Sequence, residues 1–160
     1  MVQLLGEYEC KIDAKGRMRL PSGLLGQLEE KEEAHEFVMN RGLENCVMLY
    51  PIEVWEEITK EINNLNPYNK KHRAFVRYFY RGAHRMTLDS ADRVLLSKTL
   101  LEYAEIEKEA ILFAYNDRIE IWAKDKYNDF LDEDPEQFSD LAEEVLGNVN
   151  PNPVAQFFEN

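Results

Sequence analysis

An internal repeat is the feature that most limits the folds open to this chain of 160 residues. A shift of 76 positions aligns like residues in pairs: Asp13 with Asp89, Arg17 with Arg93, and Leu20 with Leu96. Farther along, a shift of 72 positions aligns CVMLY (46–50) with RIEIW (118–122). The order of the matches is the same in both copies, which indicates one structural unit built twice.

Each copy predicts two short β-hairpins, because runs of strand-forming residues flank residues typical of turns. The predicted strand pairs are 7–12 with 17–20 and 37–39 with 46–50, then 83–88 with 93–96 and 111–115 with 118–122. Helices are predicted to begin at Pro51, to span 67–81 before Gly82, and to begin at Asp134-Pro135-Glu136. Four short strands cannot bury both faces of a sheet. We therefore expect the two copies to share one pseudo-two-fold β core with helices packed outside.

The repeat also predicts how the chain divides. The predicted segments are a first repeat at 7–53, connecting helices at 54–81, a second repeat at 82–125, C-terminal helices at 126–146 and a flexible tail at 147–160. The tail is predicted from the sequence GNVNPNP, which is rich in residues that break regular structure.

Charge is distributed unevenly along the chain. The net charge of −12 by itself argues against binding nucleic acid, whose phosphates attract positive charge. Two basic groups stand out against it: Lys11, Lys15, Arg17 and Arg19, then Lys70, Lys71, Arg73, Arg77, Arg81 and Arg85. Asp13 is the single acid within the first group, and none occurs from Ile62 to Leu88. The chain is therefore acidic overall with two basic islands, and the islands are the candidate anion-binding sites.

Several classes of function have little support in the sequence. Cys10 and Cys46 are far apart, and the three histidines have no ligand partners at metal-binding spacing. No signal peptide, membrane span, phosphate-binding loop or catalytic constellation is recognisable. We therefore expect a cytoplasmic protein that is not an enzyme, with no metal, no cofactor, no small-molecule substrate and no membrane partner.

The repeated motifs resemble those of the MraZ family of bacterial transcriptional regulators, which carry two AbrB-like (SpoVT-AbrB) domains in tandem. The resemblance rests on GEYECKIDAKGRMRLP (6–21), RGLENCVMLYPIEVW (41–55), LDSADRVLL (88–96), LEYAEIEKEA (101–110) and DRIEIW (117–122). It covers about residues 6–130, most of the chain. The paired Asp-x-x-x-Arg motifs and the CVMLYP block together make it specific.

The resemblance implies a fold, an assembly and a function. The implied fold is mainly β with peripheral helices, an α+β arrangement in which two swapped-hairpin half-barrels form one core. The implied assembly is a ring-shaped homo-oligomer in the cytoplasm and on the nucleoid. The implied function is repression of the division and cell-wall gene cluster. Repression would act through binding to short G-rich direct repeats in double-stranded DNA at the protein's own promoter.

The first basic group supplies the candidate DNA-binding residues. Arg17 is expected to contact a base or a phosphate, since a β-ribbon fits the major groove and arginine can bond guanine with both arms. The other candidates are Lys15, Arg19 and Lys11, and, with less support, Arg93. Asp92 and Ser97 stand where the family pattern has Gly and Pro. Asp92 would place negative charge beside Arg93, and so it argues against DNA contact there.

Several of the residues singled out by the sequence also have a purely structural interpretation. Asp13, Gly16 and Asp89 are expected to shape the two turns, and an arginine beside Asp can serve the same purpose. The arginines at 73, 77, 81 and 85 could pair with acidic helices rather than with DNA, while Phe75, Tyr78 and Phe79 are expected in the core. Tyr8, Tyr50, Trp55 and Trp122 are likewise expected in the core or at subunit contacts. For the whole protein, the alternative function is a structural or interaction ring that recruits a basic partner.

Overall fold

A computed structural model describes residues 3–28, 36–132 and 134–147 of the chain. The chain separates into two compact units, Met1–Tyr127 and Asn128–Asn160, which are described individually. Within the described ranges the first copy contains the strands β1 (Leu4–Lys11), β2 (Arg17–Arg19), β3 (Glu36–Arg41) and β4 (Val47–Pro51). The second copy contains β5 (His84–Thr87), β6 (Arg93–Leu95), β7 (Glu109–Asn116) and β8 (Arg118–Ala123).

Helices lie in the longer connections between these strands and after the last strand. They are α1 (Ser22–Leu25), α2 (Ile52–Asn63), α3 (Lys70–Tyr80), α4 (Lys98–Ala104), α5 (Lys124–Phe130) and α6 (Pro135–Leu146). The predicted helix after Pro51 and the predicted helix between the copies are therefore confirmed as α2 and α3. No helix in the described parts of the chain is long and apolar enough to span a membrane.

The main sheet has the symmetry that the repeat predicts. Its six antiparallel strands lie in the order β1-β7-β8-β4-β3-β5. Exchanging each strand for its equivalent in the other copy gives the same order backwards, so a pseudo-two-fold axis passes between β4 and β8. The outer strand β1 pairs with β7 of the second copy, and β5 pairs with β3 of the first. The strands of the two copies therefore interleave, and the mainly β fold with peripheral helices is confirmed.

The first predicted hairpin of each copy is wrong in its pairing. The chain does turn after β1 and after β5, but β2 forms its ladder with β6 in a separate two-stranded sheet. A single bridge between Ile12 and Met18 joins β2 to the end of the preceding segment. Met18 and Val94 are fully buried, and crossing the copies lets these two side chains bury each other. The second predicted hairpins are confirmed as the pairs β3–β4 and β7–β8.

Two apolar clusters cover the two faces of the main sheet. Along β4, Val47 and Leu49 belong to the larger cluster, which also contains Met18 and Val94. The intervening Met48 and Tyr50 belong to the cluster that includes Trp55 and Tyr127 of the helices α2 and α5. Since successive side chains of a strand point to opposite faces, β4 is buried on both. This is why its sequence is a continuous apolar run.

The aromatic side chains of α3 are less buried than the sequence suggested. Phe75 is 46% exposed and Tyr78 is 69% exposed, so the expectation that they lie in the core is wrong. Phe79 is partly buried and stacks on Trp55 with ring centroids 5.5 Å apart. Phe75 lies one helical turn before Phe79 and stacks on its ring with centroids 6.1 Å apart, so it meets only the outer part of this contact, while the ring of Tyr78 lies under the Arg41 guanidinium at 5.9 Å. Tyr50, Trp55 and Trp122 are buried as expected, and Tyr8 is partly buried.

The second unit contains α6, which begins where the sequence predicts. The Asp134 carboxylate accepts a hydrogen bond from the Gln137 amide at 2.8 Å, and the Gln137 side chain accepts one from the Asp134 amide at 3.2 Å. This reciprocal cap satisfies two amides that the first helical turn leaves unpaired. Pro135 occupies the first helical position, where its missing N–H costs nothing. Most of the predicted tail, 148–160, lies outside the described residues.

Candidate nucleic-acid interface

Asp13 organises the turn between β1 and β2, here called turn 1 (residues 13–16). Its Oδ1 atom accepts hydrogen bonds from the Lys15 and Arg17 amides, both at 2.9 Å. Its Oδ2 atom accepts one from Arg17 Nε at 2.8 Å. One carboxylate therefore holds both the backbone of the turn and the orientation of the Arg17 guanidinium.

The equivalent turn between β5 and β6, here called turn 2 (residues 89–92), has the same construction. Asp89 Oδ1 accepts from the Ala91 and Arg93 amides at 2.9 Å, and Oδ2 accepts from Arg93 Nε at 2.8 Å. The two arginine side chains are also equally exposed, at 33% for Arg17 and 32% for Arg93. The shared Asp-x-x-x-Arg motif therefore stabilises this turn in both copies, whether or not the arginine also contacts a ligand.

These hydrogen bonds favour the ionised form of both carboxyl groups. The amide of Arg17 is the largest influence that holds the pKa of Asp13 below its ordinary value of 3.8, and the guanidinium adds to it. The amide of Arg93 lowers the pKa of Asp89 in the same way. Both carboxylates are therefore charged at neutral pH, and each keeps its arginine oriented.

The two copies are joined through the residue that ends each turn. Gly16 has φ +84° and Asp92 has φ +58°, so both lie in the left-handed region. Asp is one of the residues that enter this region at modest cost, which lets turn 2 form without the glycine. The Gly16 carbonyl accepts a hydrogen bond from the Leu96 amide, and the Asp92 carbonyl accepts one from the Leu20 amide, both at 2.9 Å. Each turn thus holds the strand of the other copy.

The strands β2 and β6 form a short ribbon with one buried and one exposed face. Opposite pairs in this ladder are Arg17 with Leu95, Met18 with Val94, and Arg19 with Arg93. Met18 and Val94 point into the core, so their neighbours on both strands point outward. We call the four outward residues, Arg17, Arg19, Arg93 and Leu95, the outer ribbon face.

Tertiary structure therefore brings Arg93 to the candidate residues of the first copy. Arg93 lies directly across the ladder from Arg19. Like charges placed opposite one another destabilise a strand pair, so this arrangement favours a site that binds an anion. Lys15 is exposed in turn 1, at the end of the ribbon where Arg17 and Leu95 lie. In the sequence, Asp92 is the neighbour that disfavours DNA contact by Arg93, whereas Arg19 becomes a neighbour of Arg93 only in the folded protein.

Lys11 lies apart from the outer ribbon face. It ends β1 and stands opposite Glu109 of β7 in the main sheet, although its side chain is exposed. Opposite charges at facing positions stabilise a strand pair modestly. Lys11 thus has a structural role available to it in the sheet, and its contact with DNA stays a prediction.

The second basic island surrounds α3, and several of its members have local partners. Arg73 Nη1 donates to the Pro67 carbonyl at 3.0 Å, and Arg85 Nη1 lies 3.4 Å from Glu36 Oε1 in an exposed ion pair. Arg41, which the sequence did not single out, donates to the carbonyls of Arg81 and Tyr78 at 3.1 and 3.0 Å. Arg41 thereby satisfies carbonyls at the end of α3, where helices leave them unpaired.

Leu95 is the member of the outer ribbon face that sequence inspection missed. Its side chain is 55% exposed although it is apolar, and it stands across from Arg17. The available signal was the alternation around Val94, because a buried Val94 requires that Arg93 and Leu95 face outward together.

Both cysteine thiols lie in surroundings that disfavour the thiolate form. Burial raises the pKa of the Cys10 thiol to about 11 and that of the Cys46 thiol to about 12. Both thiols are therefore protonated at neutral pH, and a protonated thiol is a poor nucleophile and metal ligand. Among the residues that the structure describes, no group of three or more His, Cys, Asp or Glu could hold a metal ion.

Comparison with known proteins identifies the family. The family model described as "MraZ protein, putative antitoxin-like" matches residues 3–78 and again residues 79–149. The chain belongs to the MraZ family. The double match confirms both the resemblance seen in the motifs and the tandem repeat, with one MraZ unit in each half of the chain.

Relatives within the MraZ family share most of the length of this chain. A protein named transcriptional regulator MraZ from Christiangramia forsetii is 44% identical over 149 residues, covering 92% of this chain and 96% of its own length. Proteins of the same name from Flavobacterium psychrophilum and Cytophaga hutchinsonii are 39% and 38% identical. They cover 94% and 88% of this chain, and 96% and 93% of their own lengths. These names are those of regulators and not of enzymes.

Proposed function

We propose that this MraZ family member is a sequence-specific DNA-binding transcriptional regulator that contacts DNA through its outer ribbon face. The single observation that carries the proposal is the ladder between β2 and β6, which gathers Arg17, Arg19 and Arg93 on one exposed surface. The names of the relatives, all transcriptional regulators, support the same conclusion. In this proposal the protein has no enzymatic activity, cofactor, small-molecule substrate or membrane partner, and it acts in the cytoplasm on the nucleoid.

The carboxylates of the two turns prepare the arginines for DNA. Each Asp occupies the Nε–H of its arginine and leaves the terminal Nη groups for another acceptor. Such a guanidinium is already oriented, so less conformational entropy is lost when it bonds guanine O6 and N7 in the major groove. Arg17 is the strongest candidate for a base contact, and Arg93 is its equivalent in the second copy. Lys15 and Lys11 would meet phosphates, which position the protein without specifying a sequence.

Assembly into a ring would answer the objection raised by the net charge. One ribbon offers few cations in a chain whose net charge is −12. Several ribbons held on one face of a ring could bind repeated sites together, and the high effective concentration would raise the overall affinity. We propose that such a ring binds short direct repeats at the protein's own promoter and represses the division and cell-wall gene cluster.

The surface of α3 supports contact with a second copy of the chain. Phe75 and Tyr78 are exposed there beside the exposed cations Arg73 and Arg77. Aromatic residues and arginine are enriched at protein interfaces. Since acids are absent from Ile62 to Leu88 and abundant elsewhere, a second copy offers this surface mainly negative partners. Sedimentation of a Phe75→Ser/Tyr78→Ser variant is expected to show smaller particles, with Tyr68→Ser as control. An unchanged size would exclude this surface from the ring.

The test of the DNA contact is a mobility-shift titration on the protein's own upstream region. Arg17→Ala is expected to weaken binding at least about tenfold, within the range that one bidentate arginine–guanine contact contributes. The matched control is Arg118→Ala, since Arg118 is paired with Asp117 at 2.9 Å and is 30% exposed but begins β8 in the main sheet, outside the ribbon. The affinity of the parent protein is also expected to fall steeply with added salt.

The results of the mobility-shift titration distinguish a DNA-binding regulator from a ring that recruits a protein partner. Undiminished affinity in Arg17→Ala, with fold and particle size intact, would exclude the ribbon as the DNA contact. Failure of the parent oligomer to bind its upstream region at low salt would instead favour the alternative, a ring that recruits a basic protein partner through its acidic surface.

A further inference from the structure

Leu95 breaks the symmetry of the outer ribbon face. The pseudo-two-fold axis relates Arg17 to Arg93 and Arg19 to Leu95, as the shift of 76 positions requires. One end of the ribbon therefore pairs Arg19 with Arg93, while the other pairs Arg17 with Leu95. Three of the four outward positions carry arginine, and the fourth carries a leucine that is 55% exposed.

The position of Leu95 is fixed by turn 1. The Leu96 amide donates to the Gly16 carbonyl at 2.9 Å, which anchors the backbone next to Leu95. Leu95 Cδ1 lies 3.8 Å from the point that a Cβ atom on Gly16 would occupy, so the side chain sits against the turn. Leu95 is thus held beside Arg17 and close to the turn that carries Lys15, and both of these are candidate DNA contacts.

An apolar side chain at this place has one apolar partner available in the major groove of DNA. That partner is the 5-methyl group of thymine, whereas guanine presents two acceptors that suit arginine. We propose that Leu95 is a specificity-determining residue that packs on the methyl group of a thymine next to the base read by Arg17. This inference rests on the proposed function, since it requires that the outer ribbon face enter the major groove.

The asymmetry has a consequence for the orientation of the site. With arginine at all four outward positions, the ribbon strands themselves would not distinguish the two opposite directions on DNA, and only the turns, with Lys15 in turn 1 and Asp92 in turn 2, would do so. With Leu95 at one position, a thymine-containing site is bound in a single direction. Chains related by the rotation of a ring present their ribbons in the same direction, which matches direct repeats rather than inverted ones.

The test compares DNA that contains thymine with DNA in which deoxyuridine replaces thymine. The two differ only by the 5-methyl group, and base pairing is unchanged. The parent protein is expected to bind its upstream region about fourfold more weakly when the contacted thymine lacks its methyl group, the ratio that burial of one such group gives. Fluorescence anisotropy measures both affinities, and replacing one thymine at a time locates the responsive base.

Variants of Leu95 separate this contact from general effects of the methyl group on DNA. Leu95→Ala is expected to weaken binding to thymine DNA about fourfold and to leave binding to deoxyuridine DNA unchanged. The matched control is Leu43→Ala in the β3–β4 turn, where Leu43 is 96% exposed. That variant should discriminate between the two DNAs as the parent does. Melting temperature and particle size of each variant confirm that fold and assembly are retained.

These measurements test the thymine contact of Leu95 separately from DNA binding by the outer ribbon face. If Leu95→Ala discriminates between the two DNAs as strongly as the parent, the thymine contact is wrong, while the loss of binding in Arg17→Ala would still support the DNA function. If the parent protein does not bind its upstream region, both proposals fail. Leu95→Arg provides a further check, because it makes the outward positions equivalent and should remove the preference for thymine.

Discussion

At the scale of single residues, the two copies have the same turn and differ in charge. Asp13 and Asp89 make the same three hydrogen bonds, so the motif by itself does not distinguish DNA contact from turn formation. The charge differs at two aligned positions: Lys15 corresponds to Ala91, and Gly16, the residue before the arginine, corresponds to Asp92. Gly16 and Asp92 both have positive φ, but only Asp92 carries charge. Substituting each residue by the other therefore tests the backbone requirement and the charge separately.

The two exchange substitutions should act on different properties, Asp92→Gly on DNA affinity and Gly16→Asp on stability. Asp92→Gly is expected to preserve the fold, since glycine accepts φ +58°, and to tighten DNA binding about two- to fivefold by removing a negative charge beside Arg93. Gly16→Asp should destabilise the protein, because φ is +84° and a Cβ atom would lie 2.8 Å from the Leu96 carbonyl oxygen. Urea unfolding and anisotropy measure the two effects. Unchanged affinity in Asp92→Gly would place turn 2 away from DNA.

Acid should destabilise the fold partly through the two turns. The pKa values of Asp13 and Asp89 in the folded protein lie below the ordinary value of 3.8. When the pH is above the ordinary pKa, the two carboxylates contribute fully to the stability of the fold. This contribution is lost as the pH falls through their lowered pKa values in the folded protein. The double variant Asp13→Asn/Asp89→Asn should lose less melting temperature between pH 6 and pH 2 than the parent, to an extent on the order of a few degrees. Glu57→Gln on α2 serves as the control, and an identical acid response in the double variant would refute the prediction.

At the scale of elements, packing of helices on the sheet depends on a small aromatic cluster. Trp55 of α2 is 8% exposed, and its ring lies 5.7 Å from that of Tyr50 on β4. The same ring contacts Phe79 and Tyr80 at 5.5 and 5.8 Å, which attaches α3 to α2. The helical period predicted that Trp55 would face the core, but it could not show that α3 contributes only part of its aromatic residues to this cluster.

Removing the indole should loosen both helices. Trp55→Ala is expected to lower the free energy of unfolding by about 3–5 kcal/mol, the usual result of deleting a large buried aromatic side chain. Tyr68→Ala is the control, because Tyr68 is 91% exposed and its loss should change stability by less than about 0.5 kcal/mol. Urea titrations of the three proteins provide the comparison. Equal losses in both variants would mean that the cluster does not hold the helices.

At the scale of the whole molecule, neither copy can complete its own fold. The outer strand β1 finds its partner β7 in the second copy, and β5 finds β3 in the first. The ribbon also requires one strand from each copy. The segments proposed from the sequence, 7–53 and 82–125, are therefore repeats in sequence but are expected not to be independent folding units.

Splitting the chain between Arg81 and Gly82 tests this dependence. The fragment 1–81 alone is expected to be unfolded, or to pair with a second copy of itself in place of the missing half. The two fragments expressed together should recover the far-ultraviolet circular dichroism of the intact protein and elute as one complex. A fragment 1–81 that elutes as a folded monomer would contradict the interleaved pairing.

The sequence by itself determined the repeat, the family, most helices and strands, and the Asp-x-x-x-Arg turns. These features depend on local patterns, namely periodicity, turn residues and short-range hydrogen bonds that neighbouring positions reveal. Only the tertiary structure decided that β2 pairs with β6, that Arg93 faces Arg19, that Phe75 and Tyr78 are exposed, and that Leu95 stands beside Arg17. The physical reason is that strand pairing joins residues distant in sequence, and a three-residue strand carries too little pattern to specify its partner. Burial of Met18 against Val94 selects β6 as the partner of β2, and it also determines which residues of the two strands face outward.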